Sequence, residues 1–223
     1  MTGDEPLRKR GPVNAPALVL LTGVRGDPAQ WESTREPLAR AFRLLTPSLP
    51  VTGPSTAPFV LEDAAAAVAA ALDTASLPSA AVCGIGLGAM VALRLAAAQP
   101  ARVSHLALVT RQVAVSPLLM SLPAVVLKLL PATAVARLGA GQPQILSLLD
   151  QVRPVDAVPL ASRVTVPSTV LCGARDRINR RASERLAQAL PQGRLQLIPR
   201  AGPAWPTQSP QLLADALTDV LGD

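Results

Sequence analysis

A buried strand that runs straight into a glycine turn and then an apolar helix limits this chain more than any other feature. Ala80 to Cys83 is short and wholly apolar. Gly84, Ile85, Gly86, Leu87 and Gly88 follow it, and Leu87 to Gln99 continues as a helical pattern closed by Pro100. Alternate glycines let the backbone reverse sharply and approach its neighbours closely, and a strand with no polar position has both faces covered. The turn therefore predicts an interior strand of a parallel sheet with helices on both faces.

The same alternation runs through most of the chain. Strands are expected at Ala17 to Thr22, Arg43 to Thr46, Val103 to Val109, Ser168 to Cys172 and Arg194 to Ile198. Helices are expected at Trp31 to Phe42, Leu61 to Leu77, Arg180 to Leu190 and Gln211 to Leu221. Pro37 either kinks the first helix or marks its start. Pro47 to Pro58 reads as an irregular loop. Met1 to Asn14 reads as a charged tail without the apolar segment of a secretory signal. Residues 111–165 carry a proline-interrupted helical pattern, expected to form a small helical cap within one domain spanning 1–223. Gln112 to Ala136 is its most apolar part, but Pro117, Pro123 and Pro131 cut it into pieces too short for a hydrocarbon core of about 30 Å, so no membrane span is expected.

With 49% hydrophobic residues but only 2% aromatics and no Tyr, the core has to be built from Leu, Val and Ala. Nineteen Arg against two Lys, with abundant Ala, Pro and Gly, is the usage expected of a GC-rich, bacterial genome. The net charge of +6 does not point to nucleic acid. Only Arg175, Arg177, Arg180, Arg181 and Arg185 cluster, and two Phe and two Trp are too few for stacking platforms. Cys83 and Cys172 each sit in an apolar run without metal-ligand spacing, as buried small hydrophobes in a reduced, cytoplasmic protein would. No cofactor is expected: a dinucleotide fingerprint needs an acidic residue about twenty positions on, near His105, where none occurs, and no Walker lysine follows the turn.

Ligands of an open parallel sheet bind beyond the carboxyl ends of its strands, which here means the turns at Gly23, Gly84, Thr110, Cys172 and Pro199. Among them, G-I-G-L-G stands where a nucleophile elbow reads G-x-S-x-G. Leu20 to Gly23 is similar to a strand ending in His-Gly, with Thr22 in the histidine's place, and Trp31 follows at the usual distance. Thr46 to Gly53 is similar to a Pro-Asp-x-x-Gly loop, with Ser48 in place of Asp. Val166 to Asp176 reads V-P-S-T-V-L-C-G-A-R-D, a strand ending in Gly-x-x-Asp, and Leu197 to Pro210 carries Pro203 after the glycine where a histidine would stand. On these motifs, and on the order of its elements from Ala17 to Leu221, the chain resembles the α/β-hydrolase superfamily.

That resemblance implies a nucleophile at Gly86, an imidazole at Pro203 and a carboxylate at Asp176, of which only Asp176 has a side chain able to do its part. Asp176 then either pairs with Arg175 or Arg177 or serves as an acid or base. The resemblance also assigns the oxyanion-binding backbone amides to Val24 and Leu87. Arg25, Gly86 and cap residues such as Leu119 and Met120 would complete a pocket for a small hydrophobic, oxygen-bearing ligand; alternatively, the cap residues simply pack on one another. Cys83 is expected to point into the sheet. His105 begins a strand, at the wrong edge for catalysis. Two functions compete: a repurposed enzyme catalysing cyclisation, elimination or rearrangement, fitting natural-product biosynthesis, and a noncatalytic scaffold that binds a ligand or a protein. An esterase with relocated catalytic groups is a third, poorly supplied with candidates.

Overall fold

The structure, a computed structural model, describes residues 7–10, 12, 14–22, 29–49, 59–109 and 157–222. Its strands are β1 (Leu7–Arg10), β2 (Ala17–Leu21), β3 (Arg43–Pro47), β4 (Ala80–Ile85), β5 (Val103–Val109), β6 (Ser168–Gly173) and β7 (Gly193–Ile198). The helices are α1 (Ala29–Leu38), α2 (Leu61–Thr74), α3 (Leu87–Ala98), α4 (Ala157–Ala161), α5 (Arg180–Ala189), α6 (Trp205–Gln208) and α7 (Pro210–Leu221), with a 3₁₀ turn at Pro100–Arg102.

The strands form one sheet in the order β1-β3-β2-β4-β5-β6-β7. All neighbours are parallel except β1, which lies antiparallel to β3 with Leu7 opposite Pro47 and Arg10 opposite Leu44. Every residue of β4 and of β6 is buried, as the apolar sequence of β4 requires; in β6 the buried hydroxyls of Ser168 and Thr169 are hydrogen-bonded. The sheet divides the interior into two cores. Val19, Leu21, Val82, Leu106, Leu108 and Val170 pack with α2 and α3 on one face. Leu18, Leu20, Cys83, Ala107, Val109 and Leu171 pack with α1, α6 and α7 on the other. Alanine does much of the work in the first core: Ala64, Ala65 and Ala69 of α2 and Ala92 and Ala96 of α3 are buried in it. Small side chains let those two helices lie close to the sheet and to each other.

Two expectations need correcting. The amino-terminal segment is not simply a tail, since Leu7–Arg10 adds an edge strand. Leu-Arg-Lys-Arg lacks apolar alternation because an edge strand needs only backbone pairing on one side, and charge is how such edges resist further pairing. Pro37 does not mark the start of α1: the helix begins eight residues earlier, at Ala29, and Pro37 lies in its last turn. There it removes one backbone donor just before the helix ends at Leu38, four residues short of the expected Phe42. Of the expected 111–165 cap, α4 and the turn after it fall among the described residues; the remainder, with Leu119, Met120 and the Gln112 to Ala136 stretch, lies outside them. Among the described residues no helix is long and apolar enough to cross a membrane.

Candidate functional site

After β2 the chain turns outward to β3, and after β4 it proceeds the other way to β5, so adjacent β2 and β4 form the sheet's topological switch point. The crevice beyond their carboxyl ends is where ligands of such sheets bind, and the Gly84–Gly88 turn sits there. Gly86 adopts φ 59° and ψ −116°, immediately before α3 begins at Leu87. A residue with a side chain is strained in that conformation, whereas glycine is not. Its neighbours are glycines for a different reason, lack of room. A Cβ on Gly84 would lie 2.3 Å from the Gly88 carbonyl oxygen, and one on Gly88 would lie 2.4 Å from that of Leu21 and 2.7 Å from that of Thr22. The helix start is thus pressed against the end of β2.

This packing directs the amino end of a twelve-residue helix into the crevice. The first turn of a helix has no intrahelical acceptors for its N–H groups, and the helix dipole adds positive potential there. Leu87, first in the helix and fully buried, offers such an N–H. The apex at Gly86 offers no side chain. Val24 and Arg25, the other residues expected at this point, lie outside the described residues.

Asp176 follows β6 and is 1% exposed. The expected ion pair with Arg175 or Arg177 is not among its contacts in the described residues, and both arginines are exposed. Its carboxylate is held instead by Asn179, whose backbone N–H donates to Oδ1 at 3.0 Å and whose side-chain Nδ2 donates to Oδ2 at 2.6 Å. The Asp176 carbonyl accepts from the Arg180 N–H at 3.1 Å, so the residue also heads the turn that leads into α5. The Asp176 turn is fastened to the loop after β7: the Arg175 N–H donates to the Ala201 carbonyl at 2.9 Å and that of Ala174 to Ile198 at 2.9 Å. That loop carries Pro203, exposed, and is anchored by the buried Trp205 of α6. The structure therefore brings the Asp176 and Pro203 segments together, on the same sheet edge as Gly86. Asn179 was not singled out by the sequence reading; its signal is the Asp-x-x-Asn spacing immediately before a helix.

The remaining candidates are settled by their surroundings. Cys83 is fully buried, and burial pushes its thiol far above the usual range, which removes it as a thiolate nucleophile. Cys172 is likewise buried, and both cysteines are free. His105 lies at the amino end of β5, the opposite edge from Gly86, with its Nε2 3.2 Å from the Thr169 Oγ1. Arg194 donates to the same hydroxyl at 2.8 Å and to the Val220 carbonyl at 3.4 Å. Burial, and secondarily the Arg194 charge, lower the His105 pKa and favour the neutral ring. A surface cavity of about 380 Å³ beside it is lined by Ala17, Phe42, Ala80, Ser104 and Leu221, at the amino ends of the strands.

The parallel sheet, its switch point and the glycine elbow define the α/β-hydrolase class of fold. The chain belongs to the alpha/beta hydrolase family, whose model matches residues 18–216. Solved structures agree. An enol-lactonase from Burkholderia xenovorans LB400 superposes with a TM-score of 0.80 at 20% identity, covering 97% of this chain and 96% of the other. A hydrolase from Pseudomonas aeruginosa PA01 gives 0.81 at 20% identity, covering 97% and 94%. MGS-M2, an alpha/beta hydrolase enzyme from a Medee basin deep-sea metagenome library, gives 0.79 at 15%, covering 97% and 94%. At these identities the likeness is one of fold. No curated protein sequence matches the chain.

Proposed function

We propose that this chain is an α/β-hydrolase-fold protein with a degenerate triad, which binds a small hydrophobic, oxygen-bearing ligand at the elbow without covalent attack. The observation that carries this reading is the Asp176 carboxylate, buried and bonded at both oxygens by Asn179. Hydrolysis of this class needs a hydroxyl, an imidazole to move its proton and a carboxylate to orient the imidazole. Gly86 supplies no hydroxyl and Pro203 no imidazole. Asn179 already bonds both oxygens of Asp176. What the elbow retains is independent of side chains: the Leu87 N–H at a helix amino end, a fixed donor for a carbonyl or enolate oxygen.

The test combines a chemical probe and a binding probe. The protein is expected to resist labelling by a fluorophosphonate and to release no p-nitrophenol burst from an acyl ester. A medium-chain methyl ketone is expected to bind about tenfold more tightly than the alkane of equal length, the worth of one buried hydrogen bond. Labelling or a burst would overturn the noncovalent reading; equal or absent binding of the two probes would overturn the ligand site.

The Leu87 donor favours a second reading, a non-hydrolytic enzyme for cyclisation, elimination or rearrangement, with Asp176 released from Asn179 to move a proton. Its signature is deuterium entering the α-position of the bound ketone in heavy water, lost in Asp176→Asn. The noncatalytic reading expects no exchange above the solvent rate.

A further inference from the structure

The net charge of the chain is concentrated in one short stretch. Between residues 174 and 200 there are seven arginines, Arg175, Arg177, Arg180, Arg181, Arg185, Arg194 and Arg200, against Asp176 and Glu184, a balance of +5 where the whole chain has +6. The acids there are engaged: Asp176 is buried against Asn179, and Glu184 pairs with Arg180 at 2.7 Å. Arg175, Arg177, Arg181, Arg185 and Arg200 are all exposed. Ile178, in their midst, is 65% exposed, the most exposed large hydrophobic among the described residues.

These residues share a surface. Ile178, Arg181 and Arg185 follow i, i+3, i+7 spacing along the outer side of α5 and the helical turn that leads into it, while Ser183 and Ala187 face inward. Arg175 and Arg177 lie in that leading turn. Arg200, in a left-handed conformation at φ 62°, lies in the loop bonded to it through the Arg175 N–H and the Ala201 carbonyl. The patch stands at the carboxyl ends of β6 and β7, the sheet edge that also carries the elbow.

We infer that this patch docks the protein on an anionic phospholipid surface, with the arginines on headgroup phosphates and Ile178 inserted between them. Arginine forks pair well with phosphate. A lone exposed isoleucine gains nothing from water or from a soluble polyanion, but gains from the apolar region just below the headgroups. Nucleic acid is disfavoured because the patch has no aromatic side chain on which a base could stack.

The test is co-sedimentation of the full chain with vesicles of phosphatidylcholine alone and of phosphatidylcholine mixed equally with phosphatidylglycerol, with soluble polyglutamate as a second probe. Binding is expected only to the anionic vesicles and should weaken with added salt. The triple variant Arg175→Ser/Arg177→Ser/Arg181→Ser should reduce partitioning about 100-fold, at roughly fivefold for each arginine. Ile178→Ser should weaken vesicle binding while leaving any polyglutamate binding unchanged. All the substituted side chains are exposed, and unchanged thermal melting would show the variants folded. No binding to anionic vesicles overturns the inference. So does equal binding to vesicles and polyglutamate with no effect of Ile178→Ser, which would assign the patch to an acidic protein.

Discussion

Individual atoms decide which glycines of this chain can be replaced. Gly84→Ala and Gly88→Ala would each push a methyl group into backbone carbonyls that have no room to move, so each is expected to cost about 3 kcal/mol or more, at the upper end of overpacking penalties. Gly202→Ala would meet nothing within 4 Å and is expected to stay within about 0.5 kcal/mol of wild type. Urea melts of the three variants check the contrast. Asn179→Ala would strip the side-chain donor from Oδ2 of a buried carboxylate while leaving the backbone N–H on Oδ1, and is expected to cost about 2 kcal/mol. Asp176→Asn in the same background should recover part of that loss by removing the charge. The glycines were legible in the sequence because their spacing is a pattern. Asn179 was not, because one polar residue ahead of an arginine-rich helix carries no periodic signal, and its importance depends on which way its side chain turns.

Secondary elements were readable where burial imposed a pattern. β5 runs over the expected Val103–Val109, and β4 and β6 extend only slightly beyond their expected ends, since the buried part of an interior strand is a short run rich in apolar residues. β1 escaped notice because an edge strand carries no such demand, and the bounds of α1 were misplaced because Pro37 can sit at either end of a helix. Tertiary ties between elements were invisible. Arg194 fastens β7 to the carbonyl of Val220 near the end of α7, with Thr169 holding Arg194 on one side and His105 on the other. Because the folded state lowers the His105 pKa, it binds fewer protons there than the unfolded chain does. The stability that the neutral ring contributes is therefore fully present above the unfolded value of about 6.5 and is lost as pH falls through the lower, folded value. Thermal melts across that range should show stability declining on acidification, with a shallower slope in His105→Gln. An unchanged slope would place the dependence elsewhere.

Across the whole molecule, protection from solvent should follow the sheet. β2 and β4 are enclosed by both cores and β7 is only partly buried, so hydrogen exchange is expected to be slowest in β2, β4 and β5 and fastest in β7, as mass spectrometry of peptic fragments would read it. Chain-wide alternation of strands and helices made the architecture legible, and that architecture placed the site edge. It could not place the occupants of that edge, which depend on loop conformation rather than periodicity. The contact of Gly88 with the end of β2 has a mechanical consequence. With backbone resting on backbone and no flexible side chain between them, the start of α3 is a fixed bearing that cannot yield to an arriving guest. On the reading proposed above, a ligand at the elbow would meet a seat of fixed shape, and substitutions that leave Gly84, Gly88 and the end of β2 in place should leave that seat intact.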